Sequence, residues 1–169
     1  MTTTPKLGAY NYRFGAIAAG IGIVFSLMLH FMDMTYEQSP IIQTIDVLIP
    51  STLAIMAIVS FKKDNGGILR LGQALKIGVG VFFVSGIVGF IYLLIFANLI
   101  EPSFAENIAQ LQAEGIREAS PELDESIVQM QKENIEKYFY IGYFVFILTP
   151  SLIIGLIVGL VTGLFTKKN

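Results

Sequence analysis

The sequence predicts an all-α membrane protein with four spanning helices, and three observations carry that reading. Four apolar stretches, at about 14–32, 41–61, 78–100 and 138–165, hold 19, 21, 23 and 28 residues. A hydrocarbon core of about 30 Å needs about 20 helical residues at about 1.5 Å each. The chain is 54% hydrophobic and only 14% charged, where a soluble domain carries about 25% charge, and its mean hydropathy is +0.68. Sixteen glycines fall mostly inside the apolar runs, as membrane helices allow. Residues 1–169 therefore read as a single integral membrane domain.

The first helix follows Lys6 and Arg13 and superficially resembles a signal peptide. Its run exceeds a typical h-region, and the exit Leu29-His30-Phe31-Met32-Asp33 offers no small-residue cleavage site, so it reads as a retained span. Helix 2 ends at Lys62-Lys63-Asp64-Asn65-Gly66-Gly67, a tight polar turn. Ile68, Leu69, Leu71 and Leu75 then alternate with Arg70, Gln73 and Lys76 at helical spacing, which predicts an amphipathic start to helix 3.

Residues 101–137 predict an acidic helical hairpin outside the membrane. Ser103-Phe104-Ala105-Glu106 has the pattern of a capping box, with Phe104, Ile108 and Leu111 on one stripe. Gly115 is expected to end that arm. Ser120-Pro121 reads as the N-cap and first turn of the second arm, with Leu123, Ile127 and Met130 as its stripe, running on into helix 4.

Lysine and arginine near helix ends are held in the cytoplasm. One side of the membrane receives Lys6, Arg13, Lys62, Lys63, Arg70, Lys76, Lys167 and Lys168; the other has only Arg117, Lys132 and Lys137. Both termini are therefore expected in the cytoplasm and the 101–137 loop in the periplasm.

Comparison of the spans suggests two tandem helical hairpins. Residues 16–25 align without a gap on residues 74–83, and Leu48-Ile49-Pro50-Ser51 matches Leu148-Thr149-Pro150-Ser151. Both matches join helices of the same direction, as a parallel repeat would. Convergence between glycine-rich membrane helices explains the same matches, and the two explanations stay open.

Gly72-Gln73-Ala74-Leu75-Lys76-Ile77-Gly78 and Ile95-Phe96-Ala97-Asn98-Leu99-Ile100-Glu101-Pro102, with the glycine-rich first helix and the four-span plan, resemble a family of small bacterial membrane proteins known as domain of unknown function 4199. That family occurs mainly in the Bacteroidota. The resemblance implies a bacterial inner-membrane protein and carries over no activity, ligand or catalytic residue.

Asp46 is the only acid inside a predicted span. Intramembrane carboxylates are costly and mark pathways or relays, and Pro50 has no N–H to give the Asp46 carbonyl. With Gln43 and Thr44 nearby, these residues form a candidate ion or proton site. The alternative is that helix 2 starts later and Asp46 is interfacial. Gly155, Gly159 and Gly163, together with Gly20, Gly22, Gly78 and Gly80, are candidate helix-packing positions, since small residues let membrane helices approach closely. Their partners are left open between this chain, a second copy and another membrane protein.

Enzymatic readings find little support. The sequence has no HExxH, GxSxG or P-loop pattern, and a single histidine leaves a serine nucleophile without a base. Gly20-x-Gly22 and Gly78-x-Gly80 lack the third glycine of a dinucleotide fingerprint. With no cysteine, neither thiolate chemistry nor a Cys-based metal site is available. His30 is flanked by Met28, Met32 and Met34, but at about 100° per residue one helix cannot turn all four to one ion. No metal or other cofactor is expected. A net charge of −2 speaks against a nucleic-acid partner. The expected partners are the lipid bilayer and other membrane protein chains, and the expected role is non-enzymatic, structural or regulatory; a small transporter or channel subunit using Asp46 is the alternative.

Overall fold

A computed structural model describes residues 5–37 and 39–166. Lys167 and Lys168, which entered the charge comparison, lie outside the described residues. Among those described are six helices and no strand: α1 (Leu7–Phe31), α2 (Pro40–Asp64), α3 (Leu71–Ile95), α4 (Phe104–Ala119), α5 (Glu125–Lys137) and α6 (Phe139–Thr166). A π-type turn, Phe96–Ile100, extends α3. Four of these segments are long and apolar enough to cross a membrane: Leu7–Phe31, Pro40–Asp64, Leu71–Ile100 and Phe139–Thr166. The protein is a multi-pass membrane protein.

The helices outrun the apolar windows because a backbone ladder stops at a cap, not where hydropathy falls. Thus α1 includes Tyr10, Asn11, Tyr12 and Arg13, and α3 begins at Leu71. Ser39 caps α2, its Oγ accepting from the Ile41 N–H at 3.3 Å, and Pro40 takes the first helical position, where its missing N–H costs nothing. At the other end Gly67 N–H reaches back to the Lys62 carbonyl at 2.9 Å, and Gly66 stands at φ 67. That left-handed residue is the reason for glycine here.

By contact the chain divides into two compact units, Met1–Gly89 with Ile147–Asn169, and Phe90–Phe146. The core of the first brings together Phe14 of α1, Ala54, Ala57, Ile58 and Phe61 of α2, Leu69, and Ala74, Ile77, Val81 and Phe82 of α3. Ile154 and Val158 of α6 pack against it. Lys62 donates to the carbonyl of Thr166 at the C-terminus of α6, where a cation suits the helix dipole.

The second unit holds the α4–α5 hairpin on an aromatic cluster. Phe104 meets Phe96 edge to face at 5.3 Å and Phe139 at 5.9 Å, and Phe90 meets Phe144 at 4.9 Å. Offset and edge-to-face pairs of this kind add to the area they bury. Ala109 and Ala113 of α4 and Val128 of α5 are the buried residues between the arms.

Three expectations for the hairpin are corrected. Ser103 closes no capping box: its hydroxyl donates to Glu101 Oε1 at 2.9 Å and its own backbone is already near-helical, so the side chain is not placed to cap. Gly115 does not end α4, which continues to Ala119, since nothing at Gly115 demands a left-handed backbone. The cap of α5 is Asp124, not Ser120. Asp124 Oδ1 accepts from Ser126 N–H at 2.8 Å and Ser126 Oγ at 2.6 Å, while Ser120 N–H closes the last turn of α4 on Ile116. These hydrogen bonds to its charged form hold the Asp124 carboxyl below the usual range.

Candidate functional site

Asp46, Pro50, Ala54, Ala57 and Phe61 follow one another along α2 at steps of four, four, three and four, which is one helix face. The last three are almost fully buried, at 0%, 0% and 1% exposure, whereas Asp46 and Gln43 are exposed and Pro50 is half-buried. Asp46 and Gln43 therefore occupy the face that forms the core further along the helix, at the end where that face is uncovered. Thr44 is not among them. It points about 160° away from Asp46, and its hydroxyl donates to the Pro40 carbonyl of its own helix at 2.7 Å.

The two prolines have a shared neighbour. Ser51 Oγ donates to the Val47 carbonyl at 2.7 Å and Ser151 Oγ to the Ile147 carbonyl at 2.6 Å. Each serine back-bonds its own helix beside a proline that supplies no N–H. The matched tetrapeptides thus share a local hydrogen-bond pattern as well as a spelling.

The glycines separate into three groups. Gly78, Gly155, Gly159 and Gly163 line a close passage of α6 across α3: a Cβ on Gly159 would stand 2.9 Å from the Ala74 carbonyl oxygen, and one on Gly155 2.9 Å from that of Gly78. Contact at this distance is backbone against backbone. Gly80 has a different task, because a Cβ there would collide with the carboxamide of Asn11. Asn11 Nδ2 donates to the Lys76 carbonyl at 3.4 Å, and Asn11 Oδ1 is buried without a hydrogen-bond partner. Gly20 and Gly22 meet nothing within 4 Å and make no close helix contact within this chain. The close contact of α1 comes instead from Gly15, where a Cβ would stand 2.7 Å from Val84 Cβ. The signal was present as Gly15-x-x-x-Ala19, both residues being buried.

His30 Nδ1 lies 3.0 Å from Thr35 Oγ1 in the loop after α1. Among the described residues no three of His, Cys, Asp and Glu are grouped to hold a metal ion.

In the second unit, α5 turns Val128 inward, 2% exposed, and leaves Leu123, Ile127 and Met130 exposed at 38%, 39% and 53%. The expected core stripe is therefore an outer one. Its acids stay off that face, since Glu125, Glu133 and Glu136 all lie at least about 80° from its centre. Arg117 bridges the arms at the hairpin tip, Nε donating to Glu125 Oε2 at 3.3 Å, an exposed pair of small energetic weight.

A family model described as "Protein of unknown function (DUF4199)" matches residues 13–168. The chain belongs to that family. The match includes the hairpin and residues from all four spans. No curated protein and no solved structure matches the chain.

Proposed function

We propose that this chain is a non-enzymatic structural or regulatory component of the bacterial inner membrane, with both termini cytoplasmic and the α4–α5 hairpin periplasmic, and that it works through protein contacts made by that hairpin. The observation that carries this reading is the outer face of α5. Ile127 and Met130 are about half exposed on a segment that precedes the span Phe139–Thr166. Single exposed apolar residues are ordinary, but an aligned set free of acids marks a contact surface. The cation bias of the loops supports the orientation.

The test is the size of the complex extracted from native membranes under mild conditions. The wild-type chain should run well above its own 18.6 kDa plus bound lipid, and Ile127→Glu with Met130→Glu should bring it down to the single chain. Gln129→Glu, on the opposite side of α5, should leave the complex whole. A wild-type chain that is solitary after gentle extraction would overturn the reading.

Asp46 supports a second reading, transport of a cation or proton. Its position in line with Ala54, Ala57 and Phe61 makes it a candidate lining residue for a path entered from the uncovered end of the bundle. Flux in proteoliposomes, lost in Asp46→Asn, is its test.

A further inference from the structure

The outer face of α5 has a spacing that identifies its occupant. Leu123, Ile127, Met130, Asn134 and Lys137 fall at steps of four, three, four and three, the a/d pattern of a two-stranded coiled coil. Ile127 and Asn134 take the a positions, and Leu123 and Met130 the d positions. A β-branched residue at a with Leu or Met at d favours a parallel pair, and one asparagine at an a position fixes its register at some cost in stability. Asn134 is exposed, as a residue awaiting such a partner would be.

We propose that two copies of this chain pair in parallel through this face, with Ile127, Met130 and Asn134 each opposite its counterpart. The proposal rests on the reading of the hairpin as a contact element and names its partner. Membrane insertion supplies the geometry. Copies inserted the same way are related by an axis along the membrane normal, so their α5 helices run parallel.

Position excludes lipid as the occupant. The helical ladder runs on from α5 towards α6, Tyr138 N–H bonding to the Asn134 carbonyl at 3.0 Å and Gly142 N–H to the Tyr138 carbonyl at 2.9 Å. The 28 residues of α6 make about 42 Å of helix against about 30 Å of hydrocarbon, so its first residues already reach the headgroups. Met130 lies roughly 13 Å further along.

The flanks are complementary. Glu133 occupies a g position and Tyr138 the e position five residues on; across a parallel pair the carboxylate of one copy faces the hydroxyl of the other. No acid is set against an acid. About two heptads would not hold two helices together in water, but confinement to one membrane raises their effective concentration.

The chain has no cysteine, so a single introduced one reports alone. Ile127→Cys and Met130→Cys, oxidised in intact membranes, should form disulfide-linked dimers about tenfold faster than Gln129→Cys or Glu136→Cys on the far side, given the angular separation of the faces. Adding Ile127→Glu to Met130→Cys should reduce the linked dimer about tenfold or more, because like charges then meet across the pair. Equal linkage at all four positions would overturn the proposal. So would a Met130→Cys chain that forms no dimer while a photo-crosslinker in place of Met130 attaches to a different protein, and that result would leave the broader contact reading standing. No adduct of either kind would sink both.

Discussion

Tyr10 donates its hydroxyl to Asp64 Oδ2 at 2.6 Å, tying the second turn of α1 to the last residue of α2. The same ring stands edge-on to Phe61 at 5.4 Å, so one side chain makes a polar and an apolar contact between the helices. Tyr10→Phe keeps the ring pair and should lower stability by only about 0.5 kcal/mol, because Asp64 meets water. Tyr10→Ala loses both contacts and should cost about 1 kcal/mol more. Thermal unfolding in detergent or nanodiscs measures the difference, and equal losses would mean that the ring pair contributes nothing.

A Cβ at Gly159 would stand 2.9 Å from a backbone oxygen, whereas one at Gly20 would meet nothing. Gly159→Ala is therefore expected to destabilise the fold by about 1–3 kcal/mol, since the α3 backbone cannot step aside as a side chain would. Gly20→Ala should be neutral or slightly stabilising. The yield of folded protein after heating reads both.

Asp124 is held below the usual carboxyl range by Ser126. A carboxyl depressed in the folded state adds stability above its unfolded pKa and loses it as pH falls through the folded one. The first turn of α5 should thus fray below the ordinary aspartate range, seen as faster amide exchange at Ser126 and Ile127. Asp124→Ala should be frayed at every pH.

Orientation is checked by labelling from outside intact cells. Ser120→Cys should react with an impermeant maleimide and Asn65→Cys only after lysis. Reaction of both from one side would refute the charge-based topology.

Asp46→Asn should leave thermal stability nearly unchanged, because the side chain is exposed, and should abolish any cation-driven flux. A flux that survives the substitution would end the transport reading.

The four spans were legible because lipid imposes one requirement, length and apolarity together, on every residue of a crossing helix. Their ends were not. Tyr10 to Arg13 are polar and still helical, and capping at Asp124 instead of Ser120 depends on which carboxylate or hydroxyl reaches an N–H, a matter of ångströms. The stripe of α5 was found but assigned to the wrong side. Val128 and Ile127 are adjacent and similar in hydropathy, and only the approach of α4 decides which is covered. Asp46 was legible as an oddity, but its alignment with the buried face of α2 required knowing that Ala54, Ala57 and Phe61 are the buried ones.

The π-type turn Phe96–Ile100, closed by Glu101 N–H on the Phe96 carbonyl at 2.8 Å, stores one residue more than an α-turn would. Deleting Leu99 would let the ladder shorten to α geometry without a break in the chain, yet would swing all that follows by about 100°. Phe104 would then leave Phe96 and Phe139, and the hairpin would be re-aimed without a single substitution in it. Chain length at this turn is thus a dial on which way the hairpin looks, set independently of the hairpin's own surface.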